Sequence, residues 1–428
     1  MLKTRISLIA LGLLSATQAM ANDQANANGF VEDSSMNVLL RNAYINRDKK
    51  HGKNDQIEWG QGVIGNFSSG FTQGTVGVGV DAFGLYAVRL DGGKGHNGGA
   101  GVDFFKPSDG AQTNSPHNLA RGGAAVKFRV SNTVLKYGDQ MPTLPVLQYD
   151  DSRLLPESYT GTLVTSKEIE GLELNAGRFT QEARKSAEQR DSGLKSINVF
   201  GGSYKFTNNL SASLYGSDVE DVMKKQYLGV NYVMPIAAER SLTLDFNGYK
   251  SKMDRQYVEK ADLNGRDNTI WSLAATYAFG PHSITLAHQR STGDTGYNYG
   301  GYQNVGGVGD GGSTIYLANS YWSDFNAEDE RSWQLGYGLD FGAFGVPGLT
   351  YKVAYVRGDN INTHGYGEGK ERELFNQLKY VVQEGPAKDL SVKLRSSFLR
   401  TSTSVQQSKY NDDGNEVRVF VEYPINVF

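Results

Sequence analysis

Apolar and polar residues alternate with a period of two along most of this chain, in runs of about ten residues that predict extended strands with one apolar and one polar or small face. In Ala125 to Val130, Val126, Phe128 and Val130 share one face, and Lys127 and Arg129 take the other. Thr269 to Phe279 sets Trp271, Leu273, Ala275, Tyr277 and Phe279 against Ser272, Ala274 and Thr276. Ser332 to Phe341 sets Trp333, Leu335, Tyr337, Leu339 and Phe341 against Gln334, Gly336, Gly338 and Asp340. Leu374, Leu378, Tyr380 and Val382 oppose Glu373, Gln377 and Lys379. Near the end Val417, Val419, Val421 and Tyr423 oppose Glu416, Arg418, Phe420 and Glu422.

A soluble sandwich alternates too, so the polar faces decide. Here they carry Lys or Arg beside Gly, Ser and Thr over the whole length, while Tyr and Trp gather near segment ends, as in an interfacial girdle. Connections are asymmetric. Short ones such as 206–210 and 279–282 alternate with long, Gly/Asp/Asn-rich ones at 91–118, 291–312 and 358–372, the pattern of periplasmic turns and extracellular loops. The expected fold is all-β: a transmembrane antiparallel β-barrel of about 18 strands with inward-folded constriction loops. Counts of 16 or 20 strands fit the spacing as well. The stretch 136–157, with Pro142, Pro145 and Pro156, suits a rigid constriction loop better than a strand. The chain ends on Phe428, out of phase with Tyr423, which a bulge near Pro424 would repair.

The N-terminus changes the compartment. Lys3 and Arg5, the apolar run Ile6 to Leu14 and the small-x-small site Ala19-Met20-Ala21 predict a signal peptide, residues 1–21, cleaved after Ala21. Removing 21 of 428 residues leaves 407, with 41 basic against 46 acidic side chains, as one barrel domain over 22–428. About 23 residues per strand and its share of loop then suits a large outer-membrane barrel. No later run reaches 18 consecutive apolar residues, so helical membrane spanning is excluded.

Composition removes other classes. With no Cys there is no disulfide scaffold, thiolate zinc site or Cys nucleophile. The six His, at 51, 96, 117, 282, 288 and 364, form no HExxH pair, and no GxSxG is present. The adjacent Asp150 and Asp151 read as a solvated turn rather than a metal site. No enzyme activity, metal or cofactor is expected, and a net charge of −3 gives no footprint for nucleic acid. A soluble lectin is the remaining rival to a barrel.

Blocks spread over the mature chain carry a family resemblance. They include Gly29-Phe30-Val31-Glu32-Asp33-Ser34-Ser35, Leu39-Leu40-Arg41-Asn42, Ser69-Gly70-Phe71-Thr72-Gln73-Gly74, Ser152-Arg153-Leu154-Leu155-Pro156, Leu317-Ala318-Asn319-Ser320 and Val346-Pro347-Gly348-Leu349. Over residues 29–428 the chain resembles the OprD-type substrate-specific porins of pseudomonads, also called outer-membrane carboxylate channels. The resemblance implies an 18-stranded barrel, monomeric or in loose homotrimers, that passes small carboxylate-bearing solutes. Its surroundings would be the lipid and lipopolysaccharide of the outer membrane, reached through the barrel-assembly machinery.

A selective channel for anions needs cations along its lumen. Period two turns Arg89, Lys127, Arg129, Lys352, Lys379, Lys393, Arg395 and Arg418 inward, and a charge facing lipid at mid-depth would cost about 2–4 kcal/mol. The resemblance adds Arg47 to this ladder and puts Arg153, from an inward loop, at the constriction. It also implies that Tyr299, Ser313, Thr314 and Asp324 receive the substrate's polar remainder. Trp322 stands where the family often has Tyr, and the tyrosine some members supply from 181–196 is missing. An aromatic, less hydroxylated eyelet suits cyclic or aromatic monocarboxylates and other small organic acids better than basic amino acids. A general diffusion porin and a channel for basic amino acids or peptides are the alternatives. Trp322 reads equally well as an interfacial girdle residue.

Overall fold

The computed structural model describes residues 24–91, 102–105, 116–191, 193–300 and 315–428. The expected cleavage site after Ala21 and the eyelet candidates Ser313 and Thr314 lie outside them. Five strands open the chain: β1 (Ser35–Lys49), β2 (Gln56–Ser68), β3 (Gly77–Asp91), β4 (Asn118–Val130) and β5 (Thr133–Gln140). A two-residue hairpin follows, β6 (Thr143–Leu144) with β7 (Leu147–Gln148), apart from the main sheet. The wall continues through β8 (Ser158–Ile169), β9 (Leu172–Ala183), β10 (Ile197–Lys205), β11 (Leu210–Val219), β12 (Met223–Ala237) and β13 (Arg240–Met253). It ends with β14 (Asp267–Phe279), β15 (His282–Gly293), β16 (Arg331–Asp340), β17 (Leu349–Ile361), β18 (Gly369–Val381), β19 (Ser391–Thr401) and β20 (Gly414–Asn426).

Eighteen of these strands pair antiparallel with their sequence neighbours, and β1 pairs with both β2 and β20, which closes the sheet. Closure removes the edge, so every wall strand has a partner on each side, as a hydrocarbon environment demands. The alternation holds in detail. On β4, Lys127 and Arg129 are buried inside the barrel while Val126, Phe128 and Val130 are exposed on its outer surface.

Two sequence expectations need correction. No bulge occurs at Pro424. The β1–β20 register runs unbroken from Lys49 opposite Gly414 to Asn37 opposite Asn426, with Pro424 opposite Leu39. Backbone bonds from Val427 N to Met36 O (2.8 Å) and from Met36 N to Phe428 O (3.1 Å) carry the same phase to the end. The constriction loop is also shorter than 136–157. Residues 136–140 belong to β5, with Lys136 opposite Lys127 and Gly138 opposite Ala125, because the prolines begin only at Pro142.

One rim carries two- and four-residue turns at 131–132, 170–171 and 206–209, and the other carries the long connections 141–157, 254–266 and 294–330. The long rim is the extracellular one by the usual barrel asymmetry. Its loops fold inward because parts of the inner wall are apolar. Leu144, Val146 and Leu147 from 141–157, with Tyr297, Ile315 and Leu317 from 294–330, bury against Phe179, Ile197, Tyr249 and Ile270. On the opposite wall Leu154, Leu155, Phe104 and Phe105 pack against Ala43, Ile45, Ile64 and Leu85. Glycine makes room there: a Cβ at Gly60 would lie 2.5 Å from Leu154 Cδ2.

Candidate functional site

Between the two loop seats, the strands β17, β18, β19, β20 and β1 present cations to the lumen. Lys352, Lys379, Lys393, Arg395 and Arg418 all share the phase of buried inward neighbours such as Ala354, Phe375, Ser397 and Phe420. Two like-charged pairs are directly opposed across strands: Lys379 with Lys393, and Arg395 with Arg418. Directly opposed like charges destabilise a sheet.

These cations divide into two groups. Arg47 and Arg418 share one carboxylate. Glu416 accepts from Arg47 Nε at 2.7 Å and from Arg418 Nε and Nη2 at 2.5 and 3.0 Å. Lys352, Lys379, Lys393 and Arg395 make no ion pair among the described residues. Three of them lie over aromatic rings instead: Lys352 over Tyr321 at 5.4 Å, Lys393 over Phe420 at 4.8 Å and Arg395 over Phe375 at 5.0 Å. A ring face holds a cation without cancelling its charge.

The remaining ladder candidates are occupied elsewhere. Lys127 bonds Asp81 and Ser68, both at 2.7 Å, and Arg129 bonds Gln24 at 2.9 Å. Both cations lie over Phe71, and they are only 4% and 5% exposed. They fasten the N-terminal segment and the 69–76 turn at the short-turn rim. Arg89, near the opposite end of β3, bonds His117 Nδ1 at 2.9 Å.

The loop 141–157 reaches the ladder through Arg153. Its guanidinium donates to Val102 O (2.7 Å) and Ser152 Oγ (2.8 Å), near enough to Arg47 and Arg395 for the charges to repel. The neighbouring carboxylates point apart. Asp151 accepts two bonds from Arg41, at 2.6 and 3.0 Å, while Asp150 pairs with buried Lys185. Burial would raise the Asp150 carboxyl, but Lys185 and Arg153 outweigh it and hold the group well below the usual carboxylate range. Each carboxylate is thus a loop fastener, not the solvated turn its sequence suggested. Beside them, burial and then the charge of Glu182 push the Glu157 carboxyl well above its usual range.

The second inward loop, 294–330, supplies Tyr299, Trp322 and Asp324. Tyr299 donates to Asp324 at 2.7 Å, and Ser320 Oγ donates to the other oxygen of the same carboxylate. Two buried glutamates of β18 hold this loop. Glu373 accepts from the backbone N–H of Trp322 (3.1 Å) and Ser323 (2.9 Å), and Glu371 accepts from Ser323 Oγ (2.7 Å). Trp322 is not a girdle residue. Its ring lies inside, with Arg47 at 5.8 Å and Lys49 at 5.5 Å from its centroid.

Arg41 and Lys225 are among the inward cations that sequence reasoning missed. Arg41, 4% exposed, binds Asp151, the Arg153 carbonyl (3.1 Å) and Glu422 (2.7 Å), so it ties the constriction loop to β1. Its signal was present, since it shares the phase of Arg47. Lys225 of β12 is 5% exposed and donates to Tyr297 Oη at 3.0 Å, with no carboxylate partner among the described residues.

A closed barrel with a polar, cation-lined lumen narrowed by two inward loops defines an outer-membrane diffusion channel. The chain matches the family described as outer membrane porin, OprD family, over residues 28–427, and it belongs to that family. It is 42% identical to Porin D of Pseudomonas aeruginosa over 96% of this chain and 94% of that one. The crystal structure of Acinetobacter baumannii OccAB1 superposes with a TM-score of 0.87 at 40% identity, covering 95% of this chain and 100% of that one. Pseudomonas aeruginosa OpdK, solved with vanillate, superposes with a TM-score of 0.79 at 31% identity, covering 93% and 100%. The family is one of passive porins of the outer membrane, so the protein is a channel and not an enzyme.

Proposed function

We propose that this porin is selective for small carboxylate-bearing solutes, with cyclic or aromatic acids favoured. The observation that carries the reading is the group of lumenal cations on β17 and β19 that rest over rings rather than carboxylates. Lys393 and Arg395 are two residues apart, about 7 Å along the strand. At that spacing unit charges interact by about 0.6 kcal/mol in water and about 2 kcal/mol at an effective dielectric of 20. An anion is attracted at each position and released to the next, which is the compromise conduction requires. The path runs past Arg153, Arg47 and Arg418, and the Trp322 face favours a flat solute. Vanillate in the OpdK crystal structure supports an aromatic acid as a class of ligand.

A second reading, a solute carrying both a carboxylate and an ammonium, is favoured by Asp324, whose carboxylate is oriented by Tyr299 and Ser320. Planar-bilayer recording separates the readings. Anion selectivity with block by benzoate-like acids, weakened in Arg153→Ala, supports the first, and stronger block by arginine than by benzoate supports the second. Large ohmic currents indifferent to all of these would reduce the protein to a general diffusion porin.

A further inference from the structure

The outer surface of the barrel carries a second array of cations that has no part in permeation. On five consecutive strands, Arg290 (β15), Arg331 (β16), Arg357 (β17), Arg372 (β18) and Arg400 (β19) take outward positions within five residues of the long-loop rim. Their phase is fixed by buried inward neighbours: Gln289, Ser332, Val356, Glu371 and Leu399. Arg290 is directly opposite Arg331, Arg357 opposite Arg372, and Arg372 opposite Arg400. Strands lie about 4.8 Å apart, so the row covers about 19 Å of the circumference.

Protein carboxylates answer little of this charge. Asp359 pairs with Arg331 at 2.5 Å, and Asp48 lies across from Asn415, beyond Arg400. Arg290 and Arg400 use part of their donors on the carbonyls of Asp329, Leu399 and Gly414. The Arg357 and Arg372 side chains are exposed, and their guanidinium groups make no hydrogen bond or ion pair among the described residues. Directly opposed like charges on neighbouring strands cost stability unless an anion bridges them.

Immediately toward the membrane centre the same surface turns apolar. Trp271 meets His288 edge to face with centroids 5.5 Å apart, His288 stacks on Trp333 at 4.2 Å, and Tyr355, Leu374 and Phe398, directly opposite one another on β17 to β19, follow Arg357, Arg372 and Arg400 on the outer face. A ligand for this surface must therefore offer phosphate-like anions at the rim and acyl chains below it. We propose that the arginine row is a binding site for the phosphates of lipopolysaccharide in the outer leaflet. The inference rests on the outer-membrane location, and Arg357 and Arg372 are its centre. Their planar guanidinium groups suit bidentate capture of phosphate.

The test is the amount of lipopolysaccharide retained by the full-length protein extracted from outer membranes in mild detergent, read by native mass spectrometry. R357Q/R372Q should retain several-fold less than the wild type, while Arg240→Gln, a surface change at the short-turn rim, retains the wild-type amount. Single-channel conductance of R357Q/R372Q should be unchanged, because both side chains face away from the lumen and the barrel remains folded. Re-addition of lipopolysaccharide should restore binding to the wild type, and enzymatically dephosphorylated lipopolysaccharide should not. Equal retention by wild type and R357Q/R372Q, or equal binding of the dephosphorylated form, would overturn the proposal.

Discussion

Replacing Arg41 by Met should loosen the constriction loop without unfolding the barrel. The wild-type guanidinium is buried and makes two bonds to Asp151, one to Glu422 and one to the Arg153 carbonyl. A wholly buried pair broken in this way costs about 3–5 kcal/mol, and an exposed one about 0–1 kcal/mol. The Asp151 side chain is 39% exposed and that of Glu422 21%, so lumenal water rehydrates both and an intermediate cost of about 2 kcal/mol follows. Because 1.36 kcal/mol is a factor of ten, the unseated population of the loop should rise about 30-fold. In single-channel records this appears as frequent excursions to a larger conductance. Asp151→Asn should produce a smaller effect, and the double variant should be no worse than Arg41→Met alone, since the two residues act through one contact. If Arg41→Met forms folded barrels whose current is as quiet as the wild type's, the Asp150–Lys185 pair and the buried apolar seats hold the loop without it, and the reasoning from Arg41 fails.

Three other outcomes are expected. Arg395→Gln should shift the reversal potential in a salt gradient toward that of a less anion-selective pore, because Arg395 makes no ion pair among the described residues and rests over Phe375 instead; an unchanged potential would remove it from the ladder. Asp324→Asn should weaken block by arginine more than block by benzoate, and equal effects on both would show that Asp324 does not read an ammonium group. Glu157→Gln should stabilise the barrel increasingly as pH rises, measured by the temperature at which the folded electrophoretic form is lost. The sign follows from the raised carboxyl of Glu157: the folded protein prefers it protonated, so the wild type loses stability as pH climbs from the ordinary glutamate range toward the raised value. A gap between variant and wild type that narrows with rising pH would contradict this.

The wall was legible in the sequence because each strand obeys one rule. Polar and apolar residues must alternate where one face meets lipid and the other a hydrated lumen, so Lys393 and Arg395 could be turned inward from Val392 and Leu394 alone. The loops obey no such rule. Asp150 and Asp151 are adjacent in sequence yet bind Lys185 and Arg41, contacts that depend on where β9 and β1 lie in the closed barrel. The same limit explains Lys127 and Arg129. Their inward phase was readable, but Asp81, Gln24 and Phe71, which occupy them, come from segments that only tertiary structure brings near.

The lumenal cations therefore serve two ends that sequence cannot separate and partner chemistry can. Where a cation meets a carboxylate, as Lys127 meets Asp81 and Arg41 meets Asp151, the charge is spent on fastening a turn or a loop. Where it meets an aromatic face, as Lys352, Lys393 and Arg395 do, the side chain is held in place while its charge stays available to a solute. The second group lies on β17 and β19, and the apolar seats of Leu144, Leu147, Leu154 and Leu155 lie on other parts of the wall, although Tyr321 of the second loop packs on Phe375 of β18. Apolar seating of the 141–157 loop and charge display thus fall on different arcs of one barrel, while the polar anchoring of the 294–330 loop shares the arc of the cations. On that shared arc the loop itself supplies a ring, Tyr321, that holds Lys352, so the constriction loop and the displayed charge are positioned together.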